Sequence, residues 1–158
     1  MTHIIRAATP GDIPAMVGLL RLLFAIEEDF SFCEERQRRG LTLLLSSPAA
    51  RIAVVEVDRT AVAMATAQLM ISTAEGGPAV IVEDVVVAAE YRRRGLARQL
   101  LTDLAAWGAR HGAHRLQLLA DRHNTEALLF YQRLGWRQTQ LLCMRAYGPG
   151  HDKESDTT

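Results

Sequence analysis

Residues 85–98 read Val-Val-Val-Ala-Ala-Glu-Tyr-Arg-Arg-Arg-Gly-Leu-Ala-Arg. An apolar strand there runs into a basic turn, and the turn opens the first turn of a helix. A helix start presents backbone N–H groups that have no partner within the helix, together with the positive end of its dipole. Four guanidinium groups, those of Arg92, Arg93, Arg94 and Arg98, surround this start, and the small residues Gly95 and Ala97 let a ligand approach the main chain. The arrangement suits a phosphate-bearing ligand. A P-loop needs two glycines and a lysine before Ser or Thr, and a dinucleotide fingerprint needs three spaced glycines. Neither is present. Immediately upstream, Glu83 and Asp84 place two adjacent carboxylates in the otherwise apolar run 79–88.

Other chemistries are excluded or disfavoured by composition. The only lysine is Lys153, near the C-terminus, so no core lysine is available as a nucleophile or Schiff base. Cys33 and Cys143 fit no zinc or redox spacing and read as reduced thiols, and no metal site is expected. The formal net charge of +0 makes the arginine cluster a local feature, which argues against a nucleic-acid binder. No apolar run reaches the ~20 residues of a membrane span and the N-terminus lacks a signal-peptide pattern, so a cytoplasmic protein without a membrane partner is expected.

The elements that must position these residues alternate between strand and helix. A short strand over 3–7 precedes the helix-start signals Thr9, Pro10, Gly11 and Asp12, and amphipathic helices follow over 13–27 and 34–45. Two β-rich runs, 51–57 and 61–72, flank the turn Asp58-Arg59-Thr60, and a third strand over 79–87 completes an antiparallel meander. From Gly95 the period becomes helical: Leu96, Leu100, Leu101, Leu104 and Trp107 share one face, and Gly112 is placed to end the helix. A strand over 116–120 follows, then a helix capped by Asn124 or Thr125 and ended by Gly135, and a last strand over 136–147. This pattern predicts a single domain over 1–147, with 148–158 as an unstructured tail. The fold class is α/β in the α+β sense: a central, mostly antiparallel sheet flanked by helices.

The order of elements, the turn from Arg92 to Ala97, and the run from Asn124 to Trp136 (Asn-Thr-Glu-Ala-Leu-Leu-Phe-Tyr-Gln-Arg-Leu-Gly-Trp) together resemble the GNAT superfamily of acetyl-CoA-dependent N-acetyltransferases over residues 3–147. The resemblance implies the GNAT acyltransferase fold, in which the turn between the fourth strand and the third helix wraps the pyrophosphate of coenzyme A. Here that assigns acetyl-CoA to Arg92, Arg93, Arg94, Gly95, Leu96, Ala97 and Arg98, with its pantetheine arm along Val85, Val86 and Val87. Asn124 either caps its helix or reaches the cofactor.

Family strands at this place carry a bulge, so one of Glu83 and Asp84 is expected to face the cleft. An attacking amine is mostly protonated at neutral pH and needs a group to take its proton, and Glu83 is the candidate base. Tyr131 matches the tyrosine that protonates the departing thiolate in many GNAT enzymes. Substrate-side candidates are Phe24, Glu27, Asp29, Phe30 and Gln68, and the acidic run Glu27-Glu28-Asp29 would attract a cationic amine. Residues 83–87 with Tyr91 and Arg92 are also similar to the corresponding strand of glucosamine 6-phosphate N-acetyltransferases, but the first half of the chain shows no such likeness.

The resemblance thus implies an N-acetyltransferase acting on a small-molecule amine or a protein amino group. The alternative is a noncatalytic acyl-CoA-binding module with the same fold. Family members often dimerise, and Leu141, Leu142 and Met144 are available for a homodimer contact.

Overall fold

The computed structural model describes residues 1–27 and 29–151. Five strands form one sheet in the order β1 (Ile4–Ala7), β2 (Ala50–Val57), β3 (Thr60–Ser72), β4 (Gly77–Val87) and β5 (Leu116–Leu118). The first four are antiparallel, whereas β5 lies parallel to β4. Helices α1 (Ile13–Ile26) and α2 (Glu34–Ser46) cover one face, and α3 (Leu96–Arg110) covers the other. Helix α4 (Thr125–Arg133) follows β5. The β2–β3 hairpin closes through Asp58 and Arg59, both with left-handed φ (48° and 65°), the pair of positive angles that matches the twist of the flanking strands.

Each face buries its own core. Val55, Val80, Val82, Leu96, Leu100, Leu104 and Trp107 pack on the α3 side, and Met16, Leu20, Leu41, Val54, Met64 and Val86 on the α1/α2 side. Gly108 lets α3 lie directly on β4, because a Cβ there would come within 2.7 Å of Val80 Cγ2.

The entry to α1 is pinned by charge. Arg6 on β1 binds both Asp12 oxygens, at 2.8 and 2.9 Å, and its Nε donates to Glu56 on β2 at 2.6 Å. Asp12 also accepts the Thr9 N–H and hydroxyl, at 2.7 and 3.1 Å. These donors, Arg6 first, hold the buried Asp12 carboxyl down at about 2. The stability they contribute is therefore present above the ordinary carboxylate range near 4 and is lost as pH falls from there through about 2. Asp12→Ala is expected to cost about 2–3 kcal/mol, because Arg6 is left half-buried without its main partner. Urea denaturation at pH 7 and pH 3 checks this, since the difference between variant and parent should shrink at the lower pH.

Two expectations are corrected. Strand β5 ends at Leu118, two residues short of the expected 116–120. The last strand, over 136–147, does not form among the described residues: after Gly135 (φ 88°) the chain has no regular structure, and Leu141, Leu142 and Met144 are 87%, 77% and 92% exposed. Arg137 to Gln140 are consecutive polar residues and Leu141 and Leu142 are adjacent, so the run lacks the alternation that gives a strand one apolar face. The three-residue β5 also offers only a short edge to pair with. Of the expected tail, residues 152–158 lie outside the described residues, and the Tyr147 and His151 rings stack at 3.9 Å.

Candidate active site in the parting of β4 and β5

Strands β4 and β5 pair only from Val80 with Leu116 to Val82 with Leu118. Beyond that point β5 stops while β4 continues, so the β4 edge from Glu83 to Val87 is open on that side. A bulge in β4 decides what this edge presents. Asp84 has a left-handed φ of 54°, and the register with β3 shifts between Met64 and Thr66. Val80 and Val82 point to the α3 core, and unbroken alternation would send Val86 there too. Val86 instead packs on the α1/α2 side, while Val85 and Val87 face the α3 side. The main chain changes phase with the side chains. Ala88 N–H bonds to the Val62 carbonyl at 2.9 Å, so Val86 pairs with β3 and the backbone groups of Val85 and Val87 turn to the open edge. Of these groups, the Val87 carbonyl accepts from Arg92 Nε at 3.1 Å.

The edge leads through a short 3₁₀ turn, Ala89–Tyr91, to the start of α3. Arg93 (φ 63°) and Gly95 (φ 76°) both adopt left-handed backbone, which curls the chain so that successive amides converge. None of the backbone N–H groups from Arg93 to Arg98 donates to an acceptor among the described residues, and no side chain caps α3. The side chains are less committed to this concavity. Arg94 turns back to the Glu90 carbonyl at 3.1 Å and over the Tyr91 ring, and Arg93 makes an exposed 3.5 Å pair with Glu126 on α4. Leu96 is core, Ala97 half-buried and Arg98 exposed. What can grip an anion here is first of all main chain.

Acidic groups gather on the α1/α2 side of the gap. Asp84 accepts from Thr66 Oγ1 at 3.0 Å. Burial pushes its carboxyl up to about 6; the Thr66 bond opposes this and the Glu83 charge adds to it. Glu83 itself is exposed. Glu27, just past the end of α1, is raised by burial and then by the charges of Asp84, Asp121, Asp29 and Glu83. Glu28 lies outside the described residues. Phe24 packs against the α1/α2 core and stands 5.9 Å from Phe30, over which the Arg145 guanidinium lies at 4.8 Å. Gln68 is exposed on β3, two positions beyond Thr66 and therefore on the same face.

Tyr131 approaches from the other side of the sheet. It sits on α4 against the α3-side core, 5.1 Å from Phe130 and 5.7 Å from Trp136, which belongs to the segment expected as a strand. Burial and the Glu27 charge push its phenol up to about 12, so it stays protonated. Asn124 caps α4, its side-chain oxygen accepting from the Ala127 N–H at 3.1 Å. Thr66 and Asp121 are not among the site residues expected from the sequence. The signal for Thr66 was its hydroxyl in an otherwise apolar stretch, and for Asp121 its place just beyond the end of a strand.

Fold and site together define an α/β domain in which a turn of unpartnered amides follows the point where two parallel strands part. The chain belongs to the Acetyltransferase (GNAT) family, whose family model matches residues 19–136. It is similar to aminoglycoside N(6')-acetyltransferase type 1 of Salmonella typhimurium, 26% identical over 90 residues, a match covering 55% of this chain and 62% of that relative. The chain thus spans less than two thirds of that relative's length. Among solved structures, a putative acetyltransferase from Agrobacterium tumefaciens superposes with a TM-score of 0.77 at 23% identity, covering 91% of this chain and 99% of that one. Aminoglycoside N-acetyltransferase AAC(6')-Iy in complex with CoA gives a TM-score of 0.79 at 20% identity over 92% and 95% of the two chains. AAC(6')-Ih from Acinetobacter baumannii gives 0.78 at 19% over 94% and 100%. These structural likenesses are of fold. No helix among the described residues is long and apolar enough to cross a membrane.

Proposed function

We propose that this protein transfers the acetyl group of acetyl-CoA to a primary amine of a small molecule that carries more than one positive charge. The observation that supports this most is the set of unpartnered amides from Arg93 to Arg98, continuous with the open β4 edge from Glu83 to Val87. Acetyl-CoA supplies an activated acetyl thioester when bound. The Arg93–Arg98 amides would hold its pyrophosphate, and the turned-out backbone of Val85 and Val87 would pair with the amides of its pantetheine arm.

Glu27, Asp84 and Asp121 draw an ammonium group into the gap. Asp84 then takes the proton at its carboxylate, a role that the sequence assigned to Glu83 and that the bulge and burial favour in its neighbour. Tyr131 stays protonated and would donate a hydrogen bond to the sulfur as the amine nitrogen replaces it on the acetyl carbon, the second proton lost by that nitrogen restoring the phenol. Three of the four relatives named above are aminoglycoside acetyltransferases, and aminoglycosides are small molecules bearing several amines, which fits an acceptor site lined by carboxylates.

Incubation with acetyl-CoA and a panel of mono-, di- and polyamines that includes an aminoglycoside, read by release of free thiol, tests this. Turnover should rise with the number of ammonium groups on the acceptor. Tight acetyl-CoA binding without thiol release from any amine would instead identify a noncatalytic acyl-CoA-binding module. With the best amine, Tyr131→Phe should lower kcat by about 100-fold while the acetyl-CoA Kd from calorimetry stays within about twofold. The opposite split would assign Tyr131 to packing.

A further inference from the structure

Three polar or charged side chains are buried among the described residues: Asp12, Thr66 and Ser72. Asp12 is held by Arg6, and Ser72 Oγ accepts the Glu75 N–H at 3.2 Å in the β3–β4 turn. Both have plain structural work. Thr66 differs. It lies within the run Ala61-Val62-Ala63-Met64-Ala65-Thr66-Ala67 at 2% exposure, where a valine would fill the same space and suit the strand as well. What threonine adds is a hydroxyl, and burying a hydroxyl costs free energy unless it is bonded. Its bond goes to Asp84 Oδ2, at 3.0 Å. Thr66 also stands opposite Glu83, at the register shift that creates the bulge.

We propose that Thr66 is a positioning residue for acetyl transfer: its hydroxyl clamps Asp84 Oδ2 to β3, leaving Oδ1 presented to the gap to receive the proton of the acceptor amine. This rests on the reading of Asp84 as the base. Oδ1 has no hydrogen-bond partner and Asp84 no paired cation among the described residues. The Asp84 side chain leaves a backbone of left-handed φ, where Thr66 supplies the one bond that selects its direction.

The same bond favours the ionised carboxylate. It works against burial and against the charges around Asp84: Glu83 on β4, and Glu27 at the end of α1, itself within reach of Asp29, Asp121 and the Tyr131 phenol of α4. Without the hydroxyl, Asp84 would hold its proton to higher pH and its free oxygen would lose a fixed aim.

The test is a carboxyl ¹³C NMR titration of Asp84 in the full chain, in parallel with pH–rate profiles for the fastest amine of the panel. Thr66→Val should move the Asp84 midpoint and the acid limb of kcat upward together by about one pH unit, which lowers kcat at pH 6 about fivefold. The acetyl-CoA Kd should stay within about twofold. Thr66→Ser should restore both, and Thr66→Ala, which removes the hydroxyl without adding volume, is the second variant should valine fail to fold. A midpoint that stays put in the valine or alanine variant, or that serine does not restore, overturns the inference whether or not any amine is acetylated. Absence of thiol release from the unsubstituted protein with every amine overturns instead the base reading beneath it, and the titration still reports the hold of Thr66 on Asp84.

Discussion

Asp84→Asn is expected to lower kcat by about 100-fold or more and, at the same time, to make the protein more stable at pH 8. Both effects come from one carboxylate. Asp84 is half-buried with a single hydrogen bond and negative neighbours, and its carboxyl is pushed from the ordinary value of 3.8 up to about 6. The fold therefore favours the protonated form. Its penalty for holding the anion is absent below the ordinary value, grows between that value and about 6, and is fully felt above it. Asparagine stays neutral, keeps an oxygen for the Thr66 hydroxyl, and tolerates the left-handed φ of 54° better than most residues. The expected gain is about 2 kcal/mol at pH 8, or roughly 5 °C in Tm for a chain of this size, shrinking toward zero by pH 4.

Catalysis runs the other way, because a base must be ionised to accept a proton. Activity should be full above about 6 and fall as pH drops through that value, and this acid limb should vanish in Asp84→Asn. Thermal melts at pH 4 and 8, with pH–rate profiles for Asp84→Asn and Glu83→Gln, measure all of this. An acid limb kept by Asp84→Asn and lost by Glu83→Gln would return the base role to Glu83.

Gly95→Val should raise the acetyl-CoA Kd by more than tenfold. Gly95 has φ 76°, where a β-branched residue costs about 1–2 kcal/mol, so valine would relax by unwinding the turn that converges the Arg93–Arg98 amides. A Cβ at Gly95 would meet no protein atom within 4 Å. The loss is therefore not a clash within the protein; it comes from the displaced backbone and from volume added beside the amide cradle. Gly95→Asn separates the two, since asparagine accepts left-handed φ and should retain the turn while still adding bulk. Calorimetric titration with acetyl-CoA, alongside a thermal melt of each variant, provides the measurement. Unchanged affinity in Gly95→Val would move the pyrophosphate site away from this turn.

The local features of this chain were written in short stretches of sequence. The period change at Gly95, the cap at Asn124, the hairpin at Asp58-Arg59 and the basic turn depend on neighbours a few residues apart, and each forms where its residues predict. The last strand failed for a related reason: residues 136–147 are apolar in part but lack alternation, and no long edge is on hand to overrule that. Strand propensity without a partner does not make a strand.

What the sequence by itself determined was the meander, the helices and an amide-rich turn fit for phosphate, because backbone conformation there follows from side chains within one turn or one hairpin. Only the tertiary structure decided which carboxylate is held against β3 and which is left exposed. Alternation makes Glu83 and Asp84 equivalent until the register of β4 on β3 shifts between Met64 and Thr66, and that register is set by packing on both faces of the sheet. Pairing across strands likewise gives Thr66 its partner. Tertiary structure also brings Glu27 within electrostatic reach of Asp84, Asp121 and Tyr131, which lie on separate parts of the chain, and it leaves the β4 edge open because β5 stops at Leu118 while β4 runs on to Val87.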